Sequence, residues 1–293
     1  MGRQDLDGSF PNGVCGVRRL KDLLSDSNVR RRIRQARGIF LGLDFDGTLA
    51  PLRLRPCDAV LPEGVLVLLR RLARTSDIRV VLISGRGLAD LKKKVPVPEA
   101  WFSGSHGLQF HVQGRTTSVR VSGKGTLALR RLERTLRARI GKIPGVIFES
   151  KGPAFAVHYR MTEGAVRKQV VSVLEEALAD VRAGVGIKGG RGKEVAEFLV
   201  DVVGDKGGAL RKLLARWRRK EILPVFIGDD LTDETAFREV NRLGGISVLV
   251  GEREGASAAR YALSDPQAVA RFLGDLDAWR GRMPDPSKTR RAR

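Results

Sequence analysis

Two carboxylates, Asp44 and Asp46, stand two positions apart where the apolar run Ile39-Phe40-Leu41-Gly42-Leu43 ends and Gly47-Thr48 opens a turn. The run reads as a buried strand of a parallel sheet. Strand alternation would put both carboxylates on one face at its carboxyl end, where open α/β sheets bind ligands. Like charges that close resist joint ionisation. A hard divalent cation removes that cost, and Mg²⁺ favours one or two carboxylates together with phosphate oxygens. An aspartate held this way can itself attack phosphorus and carry an aspartyl-phosphate. Taken alone, the pair could also be two solvated aspartates at a turn.

A second acidic group follows another apolar run: residues 223–227 lead into Gly228-Asp229-Asp230-Leu231-Thr232-Asp233. A helix start with Asp233 complementing the dipole is one reading of it, and a cation site is the other. Between the two groups, the run 78–83 ends at Ser84-Gly85-Arg86, and Lys206 opens a helical stretch. A lysine at a helix start opposes the dipole, which points to a role beyond solvation. The order DFDGTLAP, SGR, Lys206, GDDLTD resembles the four motifs of the haloacid dehalogenase superfamily. The Leu49-Ala50-Pro51 extension is similar to its trehalose-6-phosphate phosphatase branch, and the likeness runs from about residue 39 to 265.

The resemblance implies specific roles. Asp44 is the nucleophile, and Asp46 is the acid for the leaving sugar hydroxyl and then the base for water. Mg²⁺ is held by the Asp44 carboxylate, the Asp46 main-chain carbonyl and the Asp229 carboxylate, with Asp230 and Asp233 as outer supports of the metal and of Lys206. Ser84 donates to a phosphoryl oxygen, and Lys206 balances charge developing there. Arg86 is expected to reach substrate or cap, and His106, in Ser105-His106-Gly107, to contact sugar or hold a turn. Glu149, Lys151 and Glu197 match sugar-binding positions of the family's cap, and His158-Tyr159-Arg160 reads as support for the cap sheet. The chain departs from the family at Gln109, where a glutamate is usual, and at Leu199-Val200, where an Arg-Pro pair is usual. Those departures leave the exact disaccharide phosphate open.

The elements that must position these groups can be read from periodicity. Strands at 39–43, 78–83, 100–103, 223–227 and 246–250 and helices at 62–74, 90–94, 206–220, 232–240 and 266–279 make a Rossmann-like α/β core with a parallel sheet. Residues 108–112 and 116–121 alternate around Gly114 as a hairpin. From Gly123 the rhythm changes to helix 126–140, strands 146–149 and 155–159, helix 162–181, then strands 185–188 and 194–200 about a Gly189-Gly190 turn. The expected organisation is a core of 37–123 and 204–281, an inserted α+β cap of 124–203, a basic extension of 1–36 and a basic tail of 282–293. Gly123 and Gly204 are candidate hinges, and a basic amphipathic helix is expected over 17–37.

Net charge is +21 over 293 residues, of which residues 1–40 contribute +5 and residues 281–293 contribute +4. Such charge attracts anions, but the basic residues are dispersed without interleaved aromatics, so nucleic acid is not the expected partner. No apolar run approaches the ~18 residues that span a bilayer, and the first residues lack the apolar segment of a signal peptide. Cys15 and Cys57, without metal spacing, read as reduced thiols of a cytoplasmic protein. A small sugar phosphate is the expected partner, and a trehalose-6-phosphate synthase a candidate physical one. Competing expectations are a phosphatase for sucrose 6-phosphate or mannosyl-3-phosphoglycerate, and a non-catalytic protein tethered by its basic ends.

Overall fold

The central strand, β2 (Gly38–Leu43), is apolar along its whole length and buried on both faces. Its side chains divide by alternation: Ile39, Leu41 and Leu43 enter one core cluster and Phe40 the other. Residues 20–119, 123–150, 154–183, 186–192, 194–200, 204–252 and 255–280 are described by the structure, a computed structural model. Parallel neighbours flank β2 on both sides, β3 (Ile78–Ile83) and β11 (Ile222–Gly228). The sheet continues through β4 (Trp101–Gly104) to an antiparallel hairpin, β5 (Gln109–Val112) and β6 (Arg115–Ser118). On the other side it continues through β12 (Ile246–Val250) and β13 (Tyr261–Leu263) to β1 (Lys21–Asp22), all parallel.

Helices α1 (Ser27–Gln35), α2 (Glu63–Arg74), α3 (Leu88–Lys94) and α8 (Pro266–Arg280) close one face, through side chains such as Ile33, Leu69, Leu91 and Phe272. The opposite face is covered by α6 (Lys206–Arg216) and α7 (Glu234–Arg242), through Leu210, Leu213 and Phe237. This is the α/β core expected from the sequence.

A second, four-stranded antiparallel sheet has the order β7 (Ile147–Ser150), β8 (Ala154–His158), β10 (Val195–Val200), β9 (Ile187–Gly192). Helices α4 (Gly123–Ile140) and α5 (Gly164–Ala183) pack on one side of it, burying Leu129, Leu136, Val170, Leu174, Phe155 and Phe198 in a core of their own. Along β10 the alternation is clean: Ala196, Phe198 and Val200 are buried, while Val195, Glu197 and Leu199 face the other way.

Three expectations change. The segment expected as one helix over 17–37 is a sheet edge followed by a nine-residue helix, broken because Asp26 accepts from the Asn28 and Val29 amides as an N-cap. Residues 17–19 lie outside the described residues. Helix α1 is not part of a separate extension over 1–36: its Val29 and Ile33 are fully buried, so this stretch belongs to the core. The Gly189-Gly190 pair does not turn; both residues lie in β9, opposite Phe198 and Glu197. Gly189 is needed for packing, since a Cβ there would stand 2.5 Å from Leu178 Cδ2. The chain reverses beyond Gly192, with Glu194 in the left-handed region at φ 62°. Strand β13 had no periodic signal, being three residues long.

Candidate active site

The carboxyl ends of β2, β3 and β11 meet the polar face of the second sheet across a cleft of about 910 Å³. Asp44 leaves β2 just as the ladder ends, its amide donating to Ile227 O at 3.0 Å. It is 4% exposed. Its Oδ1 has no hydrogen bond in place, although Lys206 Nζ stands 3.1 Å away. Burial, offset in part by Lys206 and reinforced by Asp233 and Asp46, pushes the Asp44 carboxyl up to about 7.

Lys206 is buried at the first position of α6, whose N-cap Asp205 accepts from the Gly208 amide. Its ammonium also donates to Asp233 Oδ1 at 2.7 Å. Burial works against that charge, but Asp233 and Asp44 outweigh it and hold the group well above the ordinary lysine range. Asp233 is fully buried, and its second oxygen accepts from the amides of Asp229 and Asp230 at 3.1 and 3.0 Å. It therefore fixes the loop that presents Asp229. Burial first, then Asp44 and Asp233, raises Asp229 well above the usual carboxylate range.

One carboxylate oxygen from each of Asp44, Asp229 and Asp233 lies within 4.8 Å of the others. Three carboxylates against one ammonium leave an excess of negative charge that a divalent cation would neutralise. Gly47, at φ 76°, is required beside them: a Cβ would sit 2.0 Å from Asp229 Oδ2. The residues fit a hard cation. Asp230 faces the cleft from the same loop, its side chain accepting from the Leu231 amide. Ser84, 2% exposed, lines the cleft at the end of β3.

Asp46 lines the cleft too, but both its oxygens are taken by Arg86, at 2.6 and 2.7 Å. Arg86 was expected to reach substrate or cap. It lines the cleft but is only 4% exposed, and its N–H groups donate to Asp46, Asp90 and the carbonyl of Pro56.

Across the cleft, strand register sets the chemistry. Glu149, Ala156, Glu197 and Gly190 form one row across β7, β8, β10 and β9, so their side chains share the face turned from the helices. Two strand spacings separate the glutamates, roughly 10 Å. Each has a histidine beside it: His158 Nε2 shares a hydrogen bond with Glu149 Oε2 at 3.0 Å, and His106 Nε2 stands 3.1 Å from Glu197 Oε2 without hydrogen-bond geometry. His106 comes from the core and holds a left-handed φ of 53°, its ring lying where a Cβ of Gly85 would be. It thus joins the core turn to the second sheet. Lys151 lies outside the described residues.

His158 and Arg160, read from sequence as structural, line the cleft, as do Arg53 and Arg191, which sequence reasoning did not single out. The signal for Arg191 was present, since it follows Gly190 in a segment too polar for a buried strand, but the mistaken turn hid it. Of the departures, Val200 is buried, while Leu199 shares the strand face of Glu197. Gln109 Oε1 accepts from the Leu88 amide and from Ser105 Oγ, bracing the turn that carries His106.

Residues 42–268 match the family model described as trehalose-phosphatase, a span that takes in the four-stranded sheet, most of the larger one and every site residue above. The chain belongs to the trehalose-phosphatase family. A trehalose-phosphate phosphatase of Mycobacterium marinum is 36% identical over 243 residues, which is 80% of this chain and 60% of that protein. The chain thus spans about three-fifths of this trehalose-phosphatase relative. An uncharacterized glycosyl hydrolase of Mycobacterium tuberculosis is 33% identical over 279 residues, covering 90% of this chain but 20% of its own length. In fold, the C-terminal domain of the Candida albicans trehalose-6-phosphate phosphatase superposes with a TM-score of 0.80 at 22% identity, over 89% of this chain and 98% of that domain. The trehalose-phosphatase architecture therefore accounts for core and inserted sheet together. No helix among the described residues is long and apolar enough to cross a membrane.

Proposed function

We propose that this chain hydrolyses trehalose 6-phosphate to trehalose and phosphate through an aspartyl-phosphate on Asp44, with Mg²⁺. The carrying observation is the buried Asp44 with an unbonded oxygen beside Lys206, facing two glutamates set in one strand row. Family membership supports the class of reaction. The roughly 10 Å between the glutamates suits a substrate of two sugar rings.

An Asp44 oxygen attacks phosphorus while the P–O bond to the sugar breaks, and Asp46 gives the leaving oxygen its proton. Water then attacks the phosphoryl group, Asp46 takes its proton, and phosphate leaves Asp44. Lys206 and Ser84 stabilise the phosphoryl oxygens, and Lys206 needs no reorganisation because Asp233 already holds it. Mg²⁺ would be held by Asp44, Asp229 and the Asp46 carbonyl, and when bound it neutralises charge on the phosphoryl group. Asp233 is held back by Lys206 and two amides and acts as their support. In this reading residues 124–203 form a cap that closes on the sugar. Glu149, Glu197, His106 and Lys151 meet its hydroxyls, since acceptors and donors there can satisfy many at once.

The test is phosphate release across a panel of sugar phosphates with Mg²⁺ present, alongside Asp44→Asn. Trehalose 6-phosphate should rank among the best substrates, chelation should abolish turnover until Mg²⁺ is restored, and Asp44→Asn should lose activity by about 10⁴-fold or more with the fold intact. A better rate on sucrose 6-phosphate or mannosyl-3-phosphoglycerate would replace the substrate. Retained turnover in Asp44→Asn would reject the mechanism.

A further inference from the structure

Arg86 is the least explained charged group near the site. A guanidinium carries five N–H donors and no acceptor. Four of the five are spent inside the protein: Nε on Asp46 Oδ2, Nη2 on Asp46 Oδ1 and on Pro56 O, and Nη1 on Asp90 Oδ2, at 2.6 to 2.7 Å. The plane also lies over the Phe45 ring, 5.1 Å from its centroid. Arg86 lines the cleft, but with the side chain 4% exposed only one N–H is left to offer a ligand. Its partners differ in kind. Asp90 is on α3, and Pro56 lies in the loop between β2 and α2, so both belong to the scaffold. Asp46 lines the cleft and keeps 33% of its side chain exposed. The arginine is anchored on the scaffold and grips a part-exposed carboxylate of the cleft.

That grip matters for an acid that must reach an ester oxygen. Both Asp46 oxygens are occupied side-on by a bidentate fork, a geometry that fixes direction as well as contributing energy. Resting on the reading of Asp46 given above, we propose that Arg86 is a positioning residue for the proton transfer: it aims Asp46, one oxygen of which leaves the fork on taking up a proton from water in the cleft and passes that proton to the leaving oxygen, while the other oxygen stays on the guanidinium that Asp90 and Pro56 keep in place. Arg86 does not touch substrate. A lysine could not substitute, since a single ammonium has no fork.

The experiment exploits the leaving group. A sugar hydroxyl leaves poorly unless protonated, whereas p-nitrophenolate leaves without a proton. Ester cleavage is followed in a single turnover, with Mg²⁺-loaded protein in excess over trehalose 6-phosphate or p-nitrophenyl phosphate, so that breakdown of the phosphoenzyme does not enter. The readout is the ratio of the two cleavage rates. Arg86→Lys and Arg86→Gln should each lower that ratio on the order of 10²-fold, the size of a general-acid contribution, and Asp46→Asn should do the same. Asp90→Asn, at a side chain 43% exposed, removes only the anchor and should lower the ratio by roughly 3- to 10-fold. It keeps the test available should the Arg86 variants lose their thermal transition. An unchanged ratio in the Arg86 variants or in Asp90→Asn, with Asp46→Asn selective, overturns the positioning role alone. An unchanged ratio in Asp46→Asn overturns the acid assignment and the proposal with it.

Discussion

The two walls of the cleft are built on opposite principles. On the core side the charges are buried and interlocked: Asp233 is fully buried, Lys206 and Asp44 are nearly so, and Asp233 spends both oxygens on Lys206 and two amides. On the sheet side the charges are half-buried and sit beside histidines, Glu149 by His158 and Glu197 by His106. Removing water from the first set makes each charge expensive to move, so the geometry is set before any ligand arrives. The second set stays partly solvated, so its pairs exchange partners at little cost. Under the proposed function, chemistry sits in the rigid half and recognition in the exchangeable half.

Lys206→Met attacks that contrast where the effect should be largest. It leaves Asp233 buried without its cation, so a stability loss of about 3–5 kcal/mol is expected, together with a fall in turnover of roughly 10²- to 10³-fold. Denaturant unfolding and steady-state kinetics measure both, and a stable, active variant would dissolve the distinction between the walls. Glu149→Gln and Glu197→Gln probe the other wall. Each should raise KM for the sugar phosphate by about 10- to 100-fold with little change in stability, the worth of one hydrogen bond to a charged group. A loss confined to kcat would place them in the chemistry instead.

The smallest effect lies outside the cleft. Glu239 of α7 is held down to about 2, first by its bond to Arg242 and then by Arg211 against the penalty of burial. A carboxyl depressed in the folded state stabilises above its ordinary pKa of about 4.5, and that contribution fades as pH falls from there towards 2. Glu239→Gln should therefore cost about 1 kcal/mol at pH 7, after allowance for the exposed arginines, and almost nothing near pH 2. Unfolding curves at the two pH values check the sign.

Much of the core wall of the cleft was legible in the chain. An apolar run that stops at two carboxylates announces a buried strand and its functional end, because side-chain alternation is a local property of five or six residues. The same held for Asp229 after β11 and for Lys206 at a helix start. The glycine pair in β9 failed for an equally physical reason. Glycine is used both for turns and for close packing, and only the approach of Leu178 to Gly189 distinguishes them. Asp26 cut a helix short by capping inside a pattern whose apolar spacing ran on without it.

The main core strands, the acidic residues at their ends and, through the motifs those residues form, the family were legible in the sequence, since strand and motif are each set by neighbours within a few positions. Tertiary structure decided which charges are paired. Arg86 finds Asp46 forty residues away, His106 finds Glu197 across the cleft, and Glu149 and Glu197 share a row through strands far apart in the chain. Such pairings depend on strand register and on which groups lose water together, and neither is encoded in any short window of residues.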